Sequence, residues 1–260
     1  MPRIFDNIDQ TLLPALRDTL AVGERADFCV GYFNLRGWRH LADLVDRWAG
    51  GEGHCCRLLV GMQSTPSEEL RQAMRIPLGG QSLAESLDNQ TALREKRRLA
   101  EDFRRQLCLG APTNEDEAAL RQLAIQLHQR RLVVKVYLPH PLHAKLYLVH
   151  RRDSTNPMTG FVGSSNLTMA GLARQGELNV DVLDHDVCAK LADWFEDRWR
   201  ERWCIDISQE LAAIIDASWA ADRLVPPYHV YLKMAYHLAQ EARTGLLEFR
   251  IPAIFGDALF

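Results

Sequence analysis

Residues 27–33 and 57–62 are apolar almost throughout, with Phe28, Cys29 and Val30 in the first and Leu58, Leu59 and Val60 in the second. Each is too short for a self-sufficient helix, and neither shows a polar side. A run without a polar side is buried on both faces, so the two predict strands of a sheet covered by helices above and below. The covers can be read as well. Ile8, Leu12, Leu13, Leu16 and Leu20 recur at helical period over 7–20. A second helix is predicted over 36–48, ending at Gly50-Gly51. Strand signals return at 132–137, 144–149, 159–163 and 178–183, with a turn at 139–141 and a polar loop at 151–158. The fold class is therefore α/β, a mixed sheet flanked by helices.

Between the second and third strands the texture changes. Residues 67–130 carry polar and charged side chains at helical spacing, broken at Pro77, Gly79-Gly80 and Gly110-Ala111-Pro112. Thr113 and Asp116 form a helix-start pattern before 118–127. This stretch is expected to be a helical insertion between strands. After Asp184 the pattern is helical, interrupted at Pro226-Pro227. The expected organisation is a domain over 1–205 and a helical segment over 206–260. The apolar residues running up to Phe260 suggest that a further domain follows.

Composition excludes several classes. No run nears the roughly 18 apolar residues of a membrane span, and Met1 to Asp6 lack a signal-peptide core. Six cysteines show no C-x-x-C spacing, and Cys55 and Cys56 are adjacent, which suits a reduced, cytoplasmic protein. The net charge of −3 argues against coating nucleic acid through bulk positive charge. A polyanion would need a local patch. Arg94, Lys96, Arg97, Arg98, Arg104 and Arg105 are the best candidates, though the interspersed Glu95, Glu101 and Asp102 favour the solvated face of a helix.

The chemistry concentrates in 143–177. His143 and Lys145, two apart on a predicted strand, project to one face while Ala144, Leu146 and Leu148 take the other. Gly163-Ser164-Ser165-Asn166 ends a strand and leads into a predicted helix, and Glu177 opens the next strand. A nucleophile or base, a cation, a polar loop and a carboxylate are the parts that phosphoryl transfer requires. An H-x-K pair alone is a weak signal; the G-S-S-N loop and the spaced glutamate make the combination specific. A zinc site from His140, His143 and His150 has the wrong spacing, and Lys145 would repel the ion. The tryptophans at 194, 199 and 203 recur at near-helical spacing and are read as core rather than base-stacking platforms.

This pattern, H-x-K then G-S-x-N with a glutamate eleven residues beyond the asparagine, resembles the phospholipase D superfamily, and in layout its small single-motif bacterial nucleases. One departure stands out: the family's aspartate five residues after the lysine is His150 here, which puts local stability and strand register in question. The resemblance implies that His143 attacks phosphorus and forms a phosphohistidine. Lys145 and Asn166 would bind phosphate oxygens, Ser164 would donate to phosphate or orient a neighbour, and Glu177 would hold the other imidazole nitrogen. It implies no metal or other cofactor. It also implies a homodimer, because the chemistry uses two histidines and the chain carries one such motif. The expected substrate is DNA, with no membrane partner, and a helicase core is the expected companion in the natural chain. The rival readings are a catalytically silent DNA-binding or dimerisation module and a phospholipid-processing enzyme.

Overall fold

The computed structural model describes residues 2–61, 89–107 and 114–217, all within one compact unit, Met1–Ala220. The expectations for 67–88, 108–113 and the segment beyond 217 lie outside the described residues. Eight strands form one mixed sheet: β1 (Ile4–Phe5), β2 (Arg25–Val30), β3 (Cys56–Gly61), β4 (Leu132–Tyr137), β5 (Leu146–His150), β6 (Met158–Gly163), β7 (Asn179–Val182) and β8 (Cys204–Asp206). The spatial order is β1-β7-β6-β5-β2-β3-β4-β8. β2, β3 and β4 are parallel, and every other pairing is antiparallel. The parallel trio contains the two largely apolar runs read as doubly covered strands, and their apolar side chains are buried on both faces.

Helices are α1 (Leu12–Ala21), α2 (Leu35–Trp38), α3 (Ala42–Val45), α4 (Asn89–Leu107), α5 (Asn114–His128), α6 (His185–Trp199) and α7 (Ser208–Asp216). One face of the sheet packs Ala26, Phe28, Val30 and Tyr147 with Leu12, Leu16 and Leu20 of α1 and the inner residues of α4, α5 and α7. The other face buries Cys29, Leu59, Leu146 and Leu148 beneath Cys188, Phe195 and Trp199 of α6. The described part of the insertion is helical, as α4 and α5 between β3 and β4. Leu211, Ala212 and Ile215 of α7 belong to the same core.

Several elements differ from expectation, each for a local reason. α1 begins at Leu12 because Asp6 Oδ1 accepts the N–H groups of Ile8, Asp9 and Gln10 at 2.9, 2.8 and 3.1 Å, and Asn7 adopts φ +59°, so a side-chain-bonded turn replaces the first helical turn. The helix expected over 36–48 is two four-residue pieces. Gly37 of the first lies so close to the chain after Asn166 that a Cβ there would come within 2.6 Å of Leu167 O. β1 and β8 were missed: two- and three-residue edge strands carry no alternation to read.

Candidate active site

The site lies where β2 ends and β5 begins. His143 and Lys145 are not on β5 but on the extended segment before its first residue, Leu146, which corrects the expectation that they sit on the strand. His143 is exposed and Lys145 half-buried, with Lys145 Nζ donating to His143 O at 2.6 Å. Gly31, directly after β2, lies beneath. A Cβ on Gly31 would sit 3.3 Å from Asn166 Oδ1 and 3.6 Å from Lys145 Nζ, so the amide and the ammonium converge over this glycine. Asn166 Oδ1 accepts the Tyr32 N–H at 2.9 Å, which fixes the amide through its oxygen.

The loop that presents Asn166 is held from behind. Leu167 bridges Phe33, with Leu167 N–H donating to Tyr32 O at 3.2 Å and Asn34 N–H to Leu167 O at 3.1 Å. Ser165 is fully buried: its N–H donates to Asn179 Oδ1 at 3.2 Å, its hydroxyl donates to Gly171 O at 2.6 Å and accepts from Asn179 Nδ2 at 2.8 Å. Tyr147 Oη donates to Ser165 O at 2.9 Å. Burial, with the Glu177 charge nearby, pushes this phenol well above the ordinary tyrosine value, so it stays a donor. The segment then enters a π-helical turn, Ala170–Arg174, rather than the regular helix expected there.

Ser164 and Glu177 meet at the rim. The Ser164 hydroxyl donates to Glu177 Oε2 and accepts the Leu178 N–H at 3.0 Å. The expected bond from Glu177 to the His143 ring is absent among the described residues; the carboxylate is engaged by Ser164 instead. Lys145 and Asn166 are thus brought together, Ser164 and Glu177 form a second pair, and the His143 ring carries no hydrogen bond among the described residues. Sequence reasoning missed Gly31, Tyr32, Tyr147, Ser165 and Asn179. Asn179 carried no local signal: the alternation of β7 puts its polar residues, Asn179 and Asp181, on the buried side.

His150 ends β5, seven residues from His143 or about 20 Å of extended chain. Its Nε2 donates to Asp27 Oδ2 at 2.7 Å, so the three histidines considered for zinc do not converge. Asp27 on β2 also receives Arg57 Nε at 2.6 Å and Arg25 Nη2 at 3.0 Å, and Arg57 reaches Glu196 at 2.8 Å. The carboxylate absent from position 150 is thus supplied by the neighbouring strand, and β5 keeps a continuous register with β2 and β6. Burial alone would raise the Asp27 pKa. The hydrogen bonds from His150 and Arg57, and the Arg57 charge, outweigh it and hold the carboxyl well below the usual range.

The mixed sheet, with Lys145 and Asn166 meeting over Gly31 at the junction of β2 and β5, frames a phospholipase D-like domain. A family model described as "Cardiolipin synthase, PLD-like domain" matches residues 19–199, a stretch that includes all five expected site residues. The chain belongs to this family. Its fold is also similar to NucT from Helicobacter pylori, at 10% identity and TM-score 0.43, covering 79% of this chain and 98% of that one. It is similar to Nuc from Salmonella typhimurium, a phospholipase D family member, at 11% identity and TM-score 0.44, covering 79% and 97%. A phosphatidylserine synthase from Haemophilus influenzae Rd KW20 matches at 13% identity and TM-score 0.43, covering 83% of this chain and 44% of that one. No curated protein matches the sequence.

Proposed function

We propose that the chain is a phosphodiesterase acting on the DNA backbone through a covalent phosphohistidine on His143, in a site completed by a second copy. The observation that carries this reading is the convergence of Lys145 Nζ and Asn166 over Gly31, beside an exposed histidine, on a loop whose own polar groups are satisfied from behind. An ammonium beside an amide at one small space suits the non-bridging oxygens of a phosphodiester, where negative charge grows during transfer, once the amide offers its N–H groups to the ligand. An imidazole nitrogen of His143 forms the N–P bond while the leaving oxygen departs with its electron pair and takes a proton from the imidazolium of the mate. That imidazole then takes a proton from water, which attacks phosphorus and releases the histidine. Ser164 orients Glu177, and across a twofold axis Glu177 would be offered to the imidazole of the mate. Lys145, Asn166 and their mates supply the charge and donors, so the proposed step uses no metal. The five described cysteines are buried free thiols, which suits a reducing cytoplasm.

One observation favours a second reading. Glu177 is bonded to Ser164 and the His143 ring to nothing among the described residues, as in a silent module that binds DNA or dimerises without cleaving it. Incubating the full chain with supercoiled plasmid and with cardiolipin vesicles, each with and without a chelator, separates the readings. Plasmid nicking that survives chelation supports the proposal, whereas binding without nicking supports the silent module. Turnover of the vesicles alone would move the substrate to phospholipid, and rescue by magnesium after chelation would defeat the metal-free step.

A further inference from the structure

The insertion helix α4 has no part in the chemistry above, yet its inner side is tied to the site. Leu99, Ala100, Phe103 and Leu107 form its buried stripe. Phe103 stacks on Phe33 with ring centroids 5.7 Å apart and planes 13° apart. Phe33 is the residue that bridges Leu167, the immediate neighbour of Asn166. The rest of α4 is basic in sequence: six arginines and lysines against three acids lie between Arg94 and Arg105, a local charge of +3 in a chain of net −3. Arg94 and Arg97 are exposed and line an open depression of about 520 Å³ with Leu93 on α4 and Glu210, Ala213 and Ile214 on α7. The acid in that depression is paired through one oxygen, Lys96 Nζ lying 2.9 Å from Glu210 Oε1, and its Oε2 is buried rather than open to the depression. Among the described residues Arg97 pairs with an exposed partner one turn away, Glu101 at 3.5 Å.

From these observations, and resting on the phosphodiesterase reading, we infer that α4 is the track that holds the nucleic-acid strand beyond the scissile phosphate. A net-negative chain gains nothing from long-range attraction of a polyanion, so its grip on a long substrate must be local. Counting back from Phe103 at the rise of a helix puts Arg97 and Arg94 about 9 and 13.5 Å along the axis from Phe103, the residue that joins α4 to the Asn166 loop through Phe33. One helical turn separates the two, so they present their guanidinium groups on the same side, as adjacent backbone phosphates require. The apolar floor of Leu93, Ala213 and Ile214 suits the sugar and base edges between those phosphates.

The test compares the full wild-type chain with Arg94→Gln/Arg97→Gln and with Lys190→Gln, an exposed basic change on α6 paired only to Asp186. Binding of a fluorescein-labelled oligonucleotide is followed by anisotropy across a salt series, and cleavage is followed on the same oligonucleotide and on bis(p-nitrophenyl) phosphate. The double variant should bind roughly tenfold or more weakly at low salt, with the slope of log K against log salt reduced by about 2, one for each guanidinium–phosphate pair removed. It should cleave the small diester as wild type does, and Lys190→Gln should bind like wild type. An unchanged salt slope in the double variant, or an equal weakening in Lys190→Gln, overturns the track. If wild type cleaves neither diester the phosphodiesterase reading falls, and the salt slopes still decide whether α4 binds the strand.

Discussion

The two ends of β5 carry charge in opposite ways. Around its last residue, His150, Asp27, Arg25, Arg57 and Glu196 close on one another, and Asp27 is 0% exposed with every partner inside the protein. Before its first residue, Lys145 among the described residues bonds a main-chain carbonyl, the Asn166 amide is held through its oxygen, and His143 is exposed. The same strand therefore joins a cluster whose charges are satisfied by each other to one whose charges are left open. The first kind holds a fold and is costly to break from one side. The second kind awaits a ligand. Substitutions at the two ends should separate activity from stability.

The largest effect is expected at the open end. His143→Ala should lower diester cleavage by a factor on the order of 10⁴ to 10⁶, the scale seen when a nucleophile is removed. Its denaturant midpoint should barely move, within about 0.5 kcal/mol, because the ring is exposed and unbonded. Steady-state rates and urea unfolding of the same preparation measure both. Near-wild-type cleavage would remove His143 from the chemistry.

At the closed end the pattern should invert. Asp27→Asn leaves Arg57 and His150 without their buried carboxylate and should cost roughly 3–5 kcal/mol of unfolding free energy, while the molecules that stay folded turn over normally. A drop in turnover without a drop in stability would mean that the two ends are coupled through β5. The smaller intermediate case is Asn179→Ala. It strips the buried Ser165 N–H and hydroxyl of their amide partner, and should cost roughly 1–3 kcal/mol together with a fall in kcat as the Asn166 loop loosens. Reduced stability with kcat intact would show that the loop is held from elsewhere.

The smallest contrast is in pH. Asp27 has a folded pKa below its unfolded one, so its contribution to stability is complete above the ordinary carboxylate range. It is lost as pH falls from there through the lowered folded value. Urea midpoints of wild type should therefore decline below about pH 4, and more steeply than those of Asp27→Asn. Parallel curves for the two proteins would assign the acid sensitivity to other carboxylates.

The closed end was the part least legible in the sequence. The largely apolar runs at 27–33 and 57–62 announced a doubly covered sheet, and the spacing of His143, Lys145, Asn166 and Glu177 announced the site. Both signals are local. That Asp27 would answer for the acid absent at position 150 depends on β2 and β5 being neighbours, with Arg25 opposite His150, and no local pattern encodes that pairing. Asn179 and Ser165 hid for the same reason, since a buried amide is explained only by the partner it meets across the loop. Even the open end was partly misread. A glutamate at the family spacing says nothing of which group its carboxylate will choose, and here Ser164, thirteen residues away in sequence, is the nearer donor.

A covalent intermediate on His143 can be sought directly. The full chain is mixed with bis(p-nitrophenyl) phosphate, quenched in denaturant at alkaline pH within the first turnover, digested and examined by mass spectrometry. Catalysis through His143 predicts a nitrophenyl-phosphoryl adduct on the peptide carrying that residue, and on that histidine alone. It predicts none in His143→Ala, and decay of the adduct as product appears. First-turnover release of nitrophenol with an unmodified His143, or with the adduct on another side chain, would contradict it.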